Sequence, residues 1–522
     1  MSDQAPPDDP RPDERAELGA ETEADGTAGS KPMDSDDVEG VKSPVSGMES
    51  AMSAGVVAGA MAEAMADQSP LATADRRRAR RVRRGVHREL PAYLFVQVSW
   101  FMAFGLQMVL FPYLITSPQH LARDGLELGL ANMALSAPSV VFLLLGGVIA
   151  ERADGKRLLM LLHGMAAVPA IGLASALWSG TLTYPLMILY GITIGTVGAF
   201  MMPARDAIVN EVVERRMRVG SGVTLQLGVT LATMAQFIAQ IIGLTLGGYA
   251  DKMTHMPAWL GGFGVGPISS ERLLLIQGIA LAGGAAFALF LGRGRKVRTG
   301  RSGLGAAYGD IKEGFAAVRS DPRLWAMTSL MFAVGIFVIG SFLVVLPILN
   351  RDVYGLDSDG IRDMFVTFWM GAFVSSVLLS VFKRIKRQGR LLLTAQALGS
   401  MVILVMLAKP PHWIFLMVVF VWGLAAGVSI AMSRSIVQDA APKDQLARVL
   451  SIYQLGFMAG APFGAAIMGA LTDLFPGEPQ RVAVVPAFGM LAMIAWMVAR
   501  TPIWNMKHPD FEPAETETSS PG

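Results

Sequence analysis

The chain has 522 residues, of which 52% are hydrophobic and only 16% charged, with a formal net charge of +2. That balance excludes an ordinary soluble protein, whose surface carries roughly 25% charged residues. Cysteine is absent, which excludes disulfides, thiolate metal sites and cysteine nucleophiles. No phosphate-binding loop, nucleophile elbow or zinc-protease spacing occurs, so the expectation is a non-enzyme with no cofactor and no metal.

The first 75 residues hold 17 Asp or Glu against four Lys or Arg, with repeated Pro, Gly, Ser and Ala. Such a stretch buries too little apolar surface to fold, and residues 1–75 read as a disordered acidic tail. A basic juxtamembrane segment follows at 76–90. Its run RRRARRVRRGVHR lies just ahead of an apolar stretch, which favours topology setting and anionic-lipid anchoring over nucleic-acid binding.

Twelve runs of at least 18 residues then lack any Lys, Arg, Asp or Glu. They cover 91–114, 128–150, 158–178, 183–204, 219–250, 273–292, 324–350, 364–382, 391–408, 410–433, 449–472 and 482–499. A span across hydrocarbon needs about 20 apolar residues, and only a helix satisfies its own backbone polar groups there. A thirteenth charge-free run, 253–270, contains two prolines and four glycines and reads as a loop.

Span one presents Gln97, Trp100, Phe104 and Gln107 on one narrow helical face, and span five presents Gln226, Thr230, Thr233, Gln236 and Gln240 on one third of its circumference. Trp369 in span eight and Gln454 in span eleven are further candidates to border the same space. Polar and aromatic stripes suit an amphipathic organic solute; equally, Gln and Thr serve as hydrogen-bonding glue between helices. Arg205, Asp206, Glu211, Arg434 and Asp439 stand at helix ends, where solvation or pairing is expected. His163 in span three reads as a packed residue.

Between spans six and seven, segment 293–323 carries Leu304, Tyr308, Ile311, Phe315 and Val318 at spacings of four and three. This predicts an amphipathic linker helix on the inner membrane surface, or else a solvent-exposed one. The remainder divides into an amino-terminal bundle at 91–292, a carboxyl-terminal bundle at 324–499 and a tail at 500–522.

Basic residues fall unevenly between spans: 33 in the even-numbered gaps and flanks, seven in the odd-numbered gaps. The positive-inside rule then places both termini in the cytoplasm of a multi-pass protein of the cell (inner or plasma) membrane. The chain also repeats itself. Ile208-Val209-Asn210-Glu211 matches Ile436-Val437-Gln438-Asp439 at an offset of 228 residues, and the same offset aligns Arg215 with Lys443 and Gln226-Leu227-Gly228 with Gln454-Leu455-Gly456. Two related six-span halves in parallel are implied.

The turn between spans two and three, GGVIAERADGKRLLM, carries the most specific motif. With twelve spans in two halves and a long basic central loop, it resembles the major facilitator superfamily: Gly147, Glu151 and Arg152 occupy the glycine, acidic and basic positions of that family's signature, with Glu in place of the usual Asp. Pro203-Ala204-Arg205-Asp206-Ala207 and Leu346-Pro347 resemble the enterobactin-exporter-like branch. The resemblance covers about residues 90–500. It implies an all-α membrane fold of two pseudo-symmetric six-helix bundles and a monomeric secondary transporter exporting a small amphipathic solute such as a drug, siderophore or metabolite, with the lipid bilayer and that solute as partners. It also implies a conformational latch, in which Glu151 sits near the cytoplasmic start of span eleven while Arg152, Asp154, Lys156 and Arg157 pair within the turn. The plainer reading is that these charges only stop helices and set topology. Proton antiport is implied by resemblance alone, since no span contains a carboxylate and Phe104 stands where the branch often has Asp. Lipid or lysolipid movement, or a non-transporting receptor or scaffold, are the alternatives.

Overall fold

The computed structural model describes residues 70–218, 225–251, 268–292, 304–381, 385, 387–442 and 445–506. The described residues from Arg78 onward lie in one compact unit, and the contacts given below lie within it. The acidic tail up to residue 69, loop 253–267 and the chain beyond 506 lie outside the described residues.

Helix is the only regular structure among the described residues. The helices are α1 (Pro70–Thr116), α2 (Gly125–Arg152), α3 (Gly155–Trp178), α4 (Tyr184–Arg218), α5 (Leu225–Gly247), α6 (Ser270–Ala288), α7 (Leu304–Ser320), α8 (Pro322–Ala333), α9 (Leu346–Asp352), α10 (Ser358–Val381), α11 (Gln388–Ile403), α12 (His412–Ala440), α13 (Leu446–Asp473) and α14 (Val484–Arg500). Twelve segments are long and apolar enough to cross a membrane, from Val86–Thr116 to Pro479–Arg500. Each corresponds to one of the charge-free runs. Several boundaries are set by local chemistry: the Asp154 carboxylate accepts the Lys156 N–H at the start of α3, and Asp321 does the same for Arg323 ahead of α8, with Pro322 at the first turn. Twelve crossings return the chain to the face on which α1 entered. That face is called proximal here, and the opposite face distal.

The seventh span is not uniformly α-helical. Between α8 and α9 it widens into π-helical turns at Val334–Ile339 and Ser341–Val345. Gly335 and Gly340 lie there against Gly460 and Gly464 of α13, so two helix backbones touch where small residues permit it.

Within the amino-terminal bundle α2 packs on α4 and α3 on α6; within the other, α12 packs on α10 and α11, and α13 on the seventh span. Between bundles the pairs are α2 with α13 and α5 with α10. A 228-residue offset relates α5 to α13 and α2 to α10, so these are one contact repeated by the internal symmetry.

Helix α7 docks on protein. Gly314 faces Arg448 and Ile452 of α13, Val318 is buried in the carboxyl-terminal core, and Arg448 meets Glu313 at 2.5 Å. Of the expected apolar stripe, Val318 thus faces the bundle, while Phe315 is exposed. The side chains of Leu304, Tyr308 and Ile311 lie outside the described residues.

Candidate functional site

An uncharged cavity opens between α1, α2 and α4. Its volume is about 240 Å³, and its walls include Trp100, Phe104 and Gln107 of α1, Ser136 of α2, Gly198 of α4 and Gln277 of α6. Three of the α1 residues read from the sequence thus line one space. Gln97 is buried elsewhere in the bundle. Trp100 is held edge-on by the buried His163 ring, 5.9 Å away, and His163 has its Nδ1 2.9 Å from the Leu159 carbonyl. His163 is therefore a packed residue supporting a cavity wall.

The polar stripe of span five disperses. Gln240 is buried with its amide 3.6 Å from the Met108 sulfur, Gln236 accepts from the Arg205 guanidinium at 3.2 Å, and Thr230 and Thr233 are exposed. The Gln226 side chain lies outside the described residues. Trp369 packs beside Phe237 and Phe368 at the meeting of α5 and α10, and its indole Nε1 is buried without a partner. Gln454 is exposed on α13. Sequence reasoning missed Gln277, Ser136 and Met458, all of which face the cavity. Gln277 carried one legible signal, as a lone amide in an apolar span.

A much larger crevice, about 830 Å³, lies outside the bundles near Glu313, Asp321, Arg323 and Pro502. Its walls come from the linker and helix ends on the proximal face.

The distal ends of the two bundles are sewn together. The Asp473 carboxylate of α13 accepts the Gly125 N–H at 2.8 Å and the Leu126 N–H at 3.0 Å. These are free donors in the first turn of α2, so one bundle caps a helix of the other. The Arg351 guanidinium donates to the carbonyls of Thr116 (3.1 Å) and Arg123 (3.0 Å). Ser358 donates to Gly248 and Ala250 carbonyls across the α5–α10 contact, and Asn132 of α2 reaches the Leu343 carbonyl at 3.5 Å. Glycine makes the closeness possible: a Cβ on Gly469 would run into the Gly125 carbonyl, and one on Gly129 into that of Ala465.

Beside this seal, Asp251 adopts a left-handed backbone (φ 57°) and ties the α1–α2 loop to the start of α6. Its carboxylate is 2.9 Å from His120 Nε2 and accepts from the Ser270 N–H at 2.8 Å and from the Ser270 hydroxyl. Burial pushes the Asp251 carboxyl up, but these hydrogen bonds outweigh it and hold the group below its ordinary value.

On the proximal face, Asp154 caps α3 and lies 3.9 Å from Arg157, while Lys156 donates to the Leu289 carbonyl beyond α6. Gly147 lies within α2, and the side chains of Glu151 and Arg152 lie outside the described residues. Arg215 joins Glu89 at 2.9 Å and Glu211 at 3.6 Å, linking α1 to α4. Arg205 pairs with the exposed Asp206 and lies over the Phe101 ring. Arg434 and Asp439 are exposed at the end of α12.

Twelve spanning helices in two symmetry-related bundles, sealed at one end and enclosing an uncharged cavity, define a multi-pass membrane transporter. The sequence matches the Major Facilitator Superfamily over residues 93–408 and 389–520, and the chain belongs to that family. Within it, the chain resembles the enterobactin-exporter-like branch: it is 23% identical to the enterobactin exporter EntS of Shigella flexneri over 408 residues, 77% of this chain and 89% of that one. Solved structures share the fold at low identity. They include the nucleoside transporter NupG (TM-score 0.61, 14% identity, 78% of this chain and 98% of that chain). A POT family transporter with 5-aminolevulinic acid gives 0.58, at 14% identity over 80% and 96%. An inward-facing, unoccupied bacterial homologue of the human lysosomal transporter Spinster gives 0.57, at 14% identity over 81% and 96%.

Proposed function

We propose that this chain exports a small amphipathic solute by alternating access, its two bundles rocking against each other, with the proximal face in the cytoplasm. The observation that carries this reading is the distal seal. Its links are hydrogen bonds between polar groups of separate bundles together with the close α2–α13 packing at Gly125, Gly129 and Gly469, the contacts that opening would part. Export agrees with the Shigella flexneri relative, an enterobactin exporter. The cytoplasmic assignment of the proximal face rests on the 33 basic residues it gathers against seven on the other side.

In this reading the cavity is bordered by Trp100, Phe104 and Gln107, with Trp369 and Gln454 joining it as the bundles rock. Glu151 is the counterpart latch at the proximal end, acting on the start of α13 while Asp154, Lys156 and Arg157 brace the turn. With no ATP-binding motif in the sequence, a gradient supplies the energy, and a proton moving inward against the solute is the proposed coupling. The transport unit works as a monomer.

The test is a deletion strain screened for growth inhibition and solute retention, paired with flux into proteoliposomes under an imposed proton gradient. Export that collapses with an uncoupler supports the proposal. Solute binding with no flux under any gradient would mark a receptor and overturn it.

A further inference from the structure

Deepening the proposed transport reading, on which it rests, we propose that the cavity inside the amino-terminal bundle is a subsite for an uncharged aromatic group bearing an O–H or N–H donor. The side-chain carbonyl of Gln277 is the acceptor that receives it.

Four observations carry the assignment. First, the cavity does not stop at the interface between bundles. Besides Trp100 and Phe104 of α1, its lining includes Gly195 and Gly198 of α4, Ala166 of α3, and Gln277 and Leu281 of α6. Met458 is the one lining residue from the carboxyl-terminal bundle. A group entering here leaves the central cleft and inserts into one half.

Second, one residue bordering the cavity carries an unmet hydrogen-bond acceptor. Gln277 is 1% exposed. Its Nε2 donates to the Ala103 carbonyl at 3.2 Å and to the Tyr190 hydroxyl at 3.0 Å, while its Oε1 is buried without a partner. The opposite amide orientation would set Oε1 against the Ala103 carbonyl, so the backbone dictates which atom is left over. A buried carbonyl deprived of a donor is penalised until something supplies one.

Third, none of the lining residues is ionisable. A cation or carboxylate taken into this space would lose its hydration and find no counter-charge. Fourth, Trp100, Phe101 and Phe104 supply aromatic rings to the lining, and glycine at 198 leaves space along α4. At about 240 Å³ the cavity falls below the roughly 300 Å³ of small complete ligand pockets. It takes one aryl portion of a cargo, not all of it.

Equilibrium binding to the full chain in nanodiscs decides the matter, using radiolabelled 1-naphthol, its methyl ether 1-methoxynaphthalene, 1-naphthoate and 1-naphthylmethylamine. Naphthol should bind about tenfold more tightly than the ether, the increment of one buried hydrogen bond, and more tightly than either ion. Gln277→Met should abolish the naphthol preference and leave ether binding unchanged. Because Gln277 also braces Ala103 and Tyr190, a second variant guards against misfolding: a Cβ at Gly198 meets only the Trp100 ring, at 4.0 Å, so Gly198→Leu should fill the space and remove binding of both neutral ligands with the melting temperature retained.

Equal affinity of the wild type for naphthol and its ether would mean that water already satisfies Gln277, and overturns the proposal. Tighter binding of naphthoate or the amine, or full binding by Gly198→Leu, does the same. A retained naphthol preference in a chain that moves no solute would sink the transport reading alone.

Discussion

Asp473 illustrates how much one side chain can do at the distal seal. Its carboxylate meets two first-turn N–H groups of α2 from the other bundle, and a helix N-terminus favours a negative charge by about 0.3–1 kcal/mol when exposed. Asp473→Asn should therefore shift the balance toward the distal-open state about two- to fivefold. Because the chain has no native cysteine, a single cysteine at Ser136 reports this directly, and faster labelling from the distal side is the expected outcome. Unchanged labelling would mean the cap does not hold the seal. By contrast, the Arg448–Glu313 pair is largely solvated, with side chains 36% and 59% exposed. Glu313→Gln should alter thermal stability by less than about 1 kcal/mol, measurable as a small change in denaturation midpoint.

Asp251 gives a pH dependence of definite sign. A carboxyl held below its unfolded value stabilises the folded state above that value, and the contribution is lost as pH falls through the depressed folded one. Its ordinary value is 3.8, so the loss falls below about pH 4. Melting temperatures across pH 3–7 should decline at the acid end more steeply for the wild type than for Asp251→Asn. Parallel curves would remove the His120 and Ser270 interactions as the cause.

At the scale of elements, what the sequence reveals and hides follows from locality. A span is a local property, since the absence of charge over some 20 residues is sufficient, and all twelve were legible. The fate of α7 was not: its stripe required burial somewhere, yet whether Val318 meets lipid, water or α13 depends on residues 130 positions away. Gln277 was hidden for a related reason. One amide in a span reads equally as glue or as ligand contact, and only the fold reveals that its nitrogen is engaged at Ala103 and Tyr190 while its oxygen is not. The α2–α13 crossing likewise depends on glycine pairs that sequence spacing does not single out. Gly469→Leu should hold these helices apart, since its side chain has no room beside Gly125. The variant should favour the distal-open state more strongly than Asp473→Asn, with increased distal labelling at Ser136→Cys as the readout. A protein that labels like the wild type would show that the helices are not held by this contact.

For the whole molecule, the internal repeat explains why two bundles suffice. The α2–α13 and α5–α10 contacts are related by the 228-residue offset, so the proposed rocking motion would loosen both together. The seventh span, with its π-helical turns against α13, supplies backbone that is less tightly wound where such a motion must be absorbed. The charges of the proximal turn, from Asp154 to Arg157, lie at the opposite ends of the helices.

Paired spin-label distances test this most directly. One pair of introduced cysteines spans the distal ends, Pro118→Cys with Pro476→Cys, and another the proximal ends, Arg157→Cys with Gln438→Cys. On adding a transported solute, the account predicts that the distal distance lengthens as the proximal distance shortens. Two distances that lengthen together, or a distal distance that stays fixed while solute is moved, would contradict it.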